Sequence, residues 1–106
     1  MEAVNRRQPR SAEDILKMLE NHRADLRRMN VRKIGLFGSY RRGDAVPESD
    51  MDFLVALDKP TFDSYMDVKF FLEDLFDCRV DLVMEETIKP RLRPHILGEV
   101  IYVPGL

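Results

Sequence analysis

Asp50 and Asp52 stand two residues apart at the start of an apolar run, 51–57, and Asp81 sits inside a second run, 79–84. A charged side chain in a buried strand is costly unless it is paired or binds a metal. Neither neighbouring strand offers an obvious cation at a matching position. On an extended strand alternate side chains leave the same face, about 7 Å apart along the backbone, so Asp50 and Asp52 are expected to converge on one ion. Asp81, brought alongside by a neighbouring strand, would complete a three-carboxylate set suited to two divalent ions roughly 3.5–4 Å apart. Hard oxygen ligands favour magnesium, with manganese as the alternative.

Such a site needs an anionic substrate, and residues 35–39, Gly-Leu-Phe-Gly-Ser, suggest one. Glycine at a strand end lets backbone approach a ligand, and Ser39 at the start of a helical turn offers a hydroxyl and N–H groups to a phosphate. Arg41 and Arg42 follow directly. Three aspartates alone would repel phosphates, so bound cations are required to bridge the two and invert the local field.

The elements that must position these groups are legible from periodicity. Ser11 reads as an N-cap, and Ile15, Leu19, His22, Leu26 and Met29 recur at helical spacing, which predicts a helix over 12–29. Asn30 ends it, and 31–37 suits a strand, followed by one helical turn over 39–42. The run 51–57 reads as a strand buried on both faces. Thr61 caps a helix over 62–77, 79–84 reads as a third strand, and 100–103 as an edge strand. Pro90, Pro94 and Gly98 limit any helix between the last two to short pieces. Strands separated by helices predict an α/β domain over 11–106, with 1–10 as a flexible N-terminus.

Composition narrows the classes. The 106 residues are 44% apolar and 34% charged with a net charge of −2, within the globular range and with no run long enough to span a membrane. No secretory or import segment is apparent, which predicts a cytosolic protein. Cys78 is the sole cysteine and no metal-binding Cys/His spacing occurs, so a buried packing role is expected for it. Residues 1–43 carry eleven Lys/Arg and five Asp/Glu, and residues 44–106 carry six and fourteen; an anionic ligand or a charged partner is one source of such asymmetry. His22 reads as a packing residue. Phe62, Tyr65, Phe70, Phe71 and Phe76 are more aromatics than one face of the 62–77 helix can bury, leaving surface for a partner.

Gly38-Ser39, ten intervening residues and Asp50-Met51-Asp52 resemble the Gly-Ser-x10-Asp-x-Asp signature of the DNA polymerase beta-type nucleotidyltransferase superfamily. Residues 79–83, Arg-Val-Asp-Leu-Val, are similar to its third-aspartate strand. The surroundings, Phe37 to Tyr40, Arg42-Gly43, Ser49-Asp50 and the tail from Pro90 to Tyr102, resemble the minimal nucleotidyltransferases that act as antitoxins in HEPN/MNT toxin-antitoxin modules. The resemblance implies a small mixed sheet flanked by helices and in-line transfer of AMP from ATP, with magnesium, to a hydroxyl. It implies that Gly38 and Ser39 hold the β- and γ-phosphates, with Arg42 as a further phosphate contact, and that Asp50, Asp52 and Asp81 are catalytic metal ligands. It also implies a hetero-oligomer with a HEPN-type ribonuclease toxin whose tyrosine is the acceptor. Arg41, where such proteins often carry a small residue, and Gly98 depart from the pattern. An antitoxin acting by binding alone is the alternative. A nucleic-acid module using the basic first helix is disfavoured by the lack of interleaved basic and aromatic residues.

Overall fold

The computed structural model describes residues 10–106. The flexible N-terminus expected over 1–10 lies outside the described residues except for Arg10. That residue is held: its guanidinium donates to the Met18 sulfur at 3.0 Å and lies over the Phe76 ring.

Helix α1 (Ala12–Asn21) opens on Ser11, whose hydroxyl accepts from the Asp14 N–H at 3.1 Å. The single helix expected over 12–29 is broken at His22 into α1 and α2 (Arg23–Arg28). The cause is local. The His22 ring Nδ1 lies 2.8 Å from the Met18 carbonyl, the acceptor its own N–H would use in a continuous helix, and that N–H turns to the Leu19 carbonyl instead. The ring then meets Phe71 edge-on, the packing role expected of it.

Strand β1 (Val31–Phe37) follows Asn30, which takes a left-handed conformation at φ 66°. Then come helix α3 (Ser39–Arg42), strand β2 (Met51–Leu57), helix α4 (Phe62–Phe76) and strand β3 (Val80–Met84). A 3₁₀ turn over Glu85–Thr87, helix α5 (Arg93–Glu99) and the short strand β4 (Ile101–Tyr102) complete the chain. Thr61 caps α4, accepting from the Ser64 N–H at 3.1 Å, and Pro94 falls in the first turn of α5, where its missing N–H costs nothing.

The sheet order is β3-β2-β1-β4, with β1 antiparallel to β2 and β4, and β2 parallel to β3. Alternation divides its side chains between two faces. On one, Ile34, Leu36, Met51, Phe53, Val55 and Leu82 pack under Ile15, Leu19, Leu26, Val68, Leu72 and Phe76 from α1, α2 and α4. On the other, Phe37 and Leu54 are covered by Ile88, Ile96 and Val100 from the C-terminal segment. Gly35 makes that cover possible: a Cβ there would stand 2.6 Å from Val100 Cγ2 and 2.8 Å from the Ile101 carbonyl.

Several charges do structural work. Arg23 donates to the Pro104 carbonyl at 2.8 Å and Arg27 to that of Gly105, so the basic residues of α2 anchor the C-terminus. Along the outer edge of β3, Tyr65, Lys69 and Glu73, spaced four apart on α4, take up the backbone. The Tyr65 hydroxyl donates to the Leu82 carbonyl (2.7 Å), Lys69 donates to the Val80 carbonyl (2.6 Å), and Glu73 accepts the Val80 N–H (3.2 Å). Cys78 is half-buried rather than buried, because it lies on the turn between α4 and β3. Among the described residues no helix is long and apolar enough to cross a membrane.

Candidate active site

Antiparallel pairing brings residues far apart in sequence to one end of the sheet. β1 ends where β2 begins, with Phe37 opposite Asp52, so the intervening segment leaves and returns at the same place. Ten residues between Ser39 and Asp50 are what one turn of helix and a return loop require. Gly43 closes α3 in the left-handed conformation at φ 84°. Gly38 is at φ 81°, and a Cβ on it would collide with the Asp52 carboxylate. Glycine is needed there both for conformation and for space.

Asp52 lies in register with Asp81 across the parallel β2–β3 pair. Burial foremost, then the charges of Asp81 and Asp50, push the Asp52 carboxyl up to about 6; a hydrogen bond shared with Asp81 adds to this, and Arg42 pulls the other way. Asp52 is half-buried, but Asp81 is exposed rather than enclosed, because β3 is an edge strand. Among the described residues no ion pair reaches either carboxylate.

Asp50 behaves differently. Its carboxylate lies 3.3 Å from Nε of Arg79, the residue just before β3. The expectation that neither neighbouring strand offers a cation is corrected here: Arg79, the first residue of the strand expected over 79–84, pairs with Asp50. Asp50 therefore does not converge with the other two aspartates. Among the described residues no three carboxylate, imidazole or thiolate groups stand close enough to hold a metal as placed.

Ser39 opens α3, half-buried, and Arg42 at its other end is exposed. Arg42 meets an acid absent from the sequence-based candidates: its Nη1 lies 3.3 Å from both carboxylate oxygens of Glu99, and one of these oxygens also accepts the Gly38 N–H at 2.7 Å. Arg41, the unexpected residue beside it, donates to the Glu99 carbonyl at 2.7 Å and so satisfies the last turn of α5. Arg42 also faces Asp44, its Nε 3.5 Å from that carboxylate, so its counter-charge comes from two acids and no sequence signal singles out Glu99. Arg10, Arg41 and Arg42 also line a hollow of about 330 Å³ beside α3 with Ser11 and Tyr40.

The nucleotidyltransferase domain model matches residues 19–103, spanning Gly38, Ser39, Arg42, Asp50, Asp52, Asp81 and Glu99. The chain belongs to the nucleotidyltransferase domain family. Among its relatives is the protein adenylyltransferase MntA of Thermococcus cleftensis, 42% identical over 93 residues that cover 86% of this chain and 94% of that one. A solved structure of a candidate minimal nucleotidyltransferase superposes with a TM-score of 0.74 at 34% identity, covering 87% of this chain and 95% of its own. A toxin-antitoxin complex with AMP-PNP contains a chain similar at a TM-score of 0.66 and 26% identity, covering 82% of this chain and 73% of that chain. The expected small mixed α/β sheet flanked by helices is thus the fold observed.

This nucleotidyltransferase concentrates opposed charges within a few residues of Gly38. Two facing carboxylates repel each other and attract a cation, while the Gly38 N–H and the Arg42 guanidinium attract an oxyanion. Outside that cluster, Pro60, Phe62, Tyr65, Leu82, Val83, Met84 and neighbours line an apolar groove of about 540 Å³, reaching β3 beyond Asp81. His95 is exposed and enters no part of the site.

Proposed function

We propose that this nucleotidyltransferase is an antitoxin that transfers AMP from ATP to a hydroxyl, a tyrosine, of a cognate HEPN-type ribonuclease toxin. The observation that carries the reading is the in-register pair Asp52 and Asp81 beside Gly38, whose backbone leaves no space for a side chain. The kinship with a protein adenylyltransferase and with a chain from a toxin-antitoxin complex supports the transferred group and the kind of partner.

Magnesium fits the donor set. Asp50, Asp52 and Asp81 present only hard oxygens, and a carboxyl raised to about 6 by burial and then by two like-charged neighbours is a group that gains by meeting a cation. These three residues would hold it, Asp50 after exchanging Arg79 for the ion. Bound there, it supplies charge neutralisation and Lewis acidity to the phosphates.

The residues' own tasks follow. The Gly38 N–H, Ser39 and Arg42 bind the β- and γ-phosphates, fixing the α-phosphorus against the sheet end. The acceptor oxygen attacks that phosphorus opposite the β-phosphate. A new P–O bond forms, the bond to the β-phosphate breaks, and pyrophosphate leaves with its electron pair. Asp81, exposed at the sheet edge, takes the proton of the acceptor hydroxyl.

The non-converging Asp50 and the exposed aromatics of α4, Phe62 at 74% and Phe70 at 55% of full exposure, favour a second reading, neutralisation by binding alone. One experiment separates the two. The protein and its Asp50→Asn/Asp52→Asn variant are incubated with magnesium, α-phosphate-labelled ATP and host lysate. Label entering a protein band with the wild type alone is expected. A co-purifying partner that takes label from no nucleoside triphosphate would sink the enzymatic reading.

A further inference from the structure

The groups assigned above to the phosphates already hold an anion from the chain itself. Glu99 accepts the Gly38 N–H at 2.7 Å and faces Arg42 at 3.3 Å through both oxygens. Its side chain is 21% exposed. The position is built rather than incidental. The Glu99 carbonyl is fixed by Arg41 at 2.7 Å, and the next residue, Val100, packs on the bare face of Gly35. Residues 101 and 102 are then locked to β1 by strand pairing. Backbone held this firmly delivers the carboxylate to one place.

A carboxylate and a phosphate are both oxyanions that take hydrogen bonds from an amide and a guanidinium. One N–H and one guanidinium group cannot serve both at full strength. We propose that Glu99 is the resident anion of the phosphate cradle: it keeps Gly38 and Arg42 aligned in the nucleotide-free protein and must be displaced by the triphosphate. The inference rests on the reading of Gly38 and Arg42 given above and extends it. Release needs only rotation of the Glu99 side chain, since the backbone anchors at Arg41 and Gly35 are separate from the carboxylate. Glu99 is thus a positioning residue that sets nucleotide affinity by competition.

The test is calorimetric titration of the full chain with magnesium and a non-transferable ATP analogue, in wild type, Glu99→Gln and Glu99→Asp. The Asp variant keeps the charge but loses the reach. Both variants are expected to bind more tightly than the wild type, on the order of tenfold, the factor by which a cradle free a tenth of the time lowers apparent affinity. Melting temperatures without nucleotide establish that each variant is folded. A purely structural clamp predicts weaker binding in both variants, which would overturn the proposal. Tighter binding in the Gln variant with the Asp variant unchanged would also overturn it, by assigning the effect to charge at a distance. Either result leaves the proposed function standing provided the wild type binds the analogue. No binding by the wild type removes that reading and this inference together.

Discussion

Two groups of carboxylates share one face of the sheet and are treated in opposite ways. Glu85 lies 3.3 Å from Lys33 Nζ and accepts the Tyr102 hydroxyl at 3.0 Å, while Lys33 also sits 4.7 Å above the Tyr102 ring. Burial pushes Glu85 up, but the hydrogen bonds from Tyr102 and Lys33 and the Lys33 charge outweigh it and hold the carboxyl below its ordinary value. Tyr102, half-buried and bonded to that acid, is pushed up to about 12. Asp52 is half-buried too, yet its neighbours are Asp81 and Asp50, and burial together with those charges raises it to about 6. A partly buried acid that serves the fold is given its cation. One that is surrounded by other acids keeps its repulsion, and the fold carries the cost.

That contrast is broken most completely by Asp52→Asn. Transfer of label from ATP should fall by roughly a thousandfold or more, the scale expected when a group acting on the reacting centre is removed. The same change should raise the melting temperature of the nucleotide-free protein, because it removes a repelling charge. A variant that loses activity and stability together would contradict this account of Asp52.

Gly38→Ala comes next. Its φ of 81° and the collision with the Asp52 carboxylate should cost about 2–3 kcal/mol of stability, strain at a positive φ added to displacement of a packed group. Chemical denaturation reads the stability directly, and nucleotide binding should be lost as well.

Lys33→Met sharpens the comparison from the other side. Removing the cation from Glu85 should destabilise by about 1 kcal/mol, the scale of a partly exposed ion pair with a cation–π contact. Label transfer should stay at the wild-type rate. Asp52→Asn and Lys33→Met are therefore expected to move stability in opposite directions although both remove a charge from the same face.

The smallest effect is on pH dependence. Between about 3.8 and about 6 the folded protein keeps a proton on Asp52 that the unfolded chain has released. Stability from this group therefore rises as pH falls through 6, is complete below the unfolded value, and is absent above the folded one. The difference in melting temperature between Asp52→Asn and wild type should shrink as the pH is lowered across that interval. A constant difference would show that Asp52 has an ordinary acidity in the fold.

Much of this was legible in the sequence because it rests on local rules. The 51–57 strand, the Thr61 cap and the single turn after Gly38 depend on nearest neighbours and appear where periodicity and capping place them. The spacing of Gly38, Ser39, Asp50 and Asp52 was readable for a related reason, since an antiparallel return converts a fixed loop length into adjacency. What was missed depends on side chains meeting across the fold. The break at His22 comes from one ring competing for one carbonyl, which no propensity scale contains. Arg79 stands at the first position of the expected 79–84 strand, and only the parallel register, Met51 against Val80, sets it beside Asp50; without the strand order that pairing is not readable. Glu99 reaches Gly38 from 61 residues away; only the strand pairing of the C-terminus brings it there.

The row of Tyr65, Lys69 and Glu73 along β3 has one more consequence. An open strand edge is a template on which another chain can add a strand, in recognition or in aggregation. Here the outward-facing carbonyls of Val80 and Leu82 and the N–H of Val80 are already occupied by the chain's own helix. Beside Asp81 a visiting strand therefore finds three of the edge's backbone groups already taken, and the exposed edge of the sheet is a poorer template for strand addition than its position suggests.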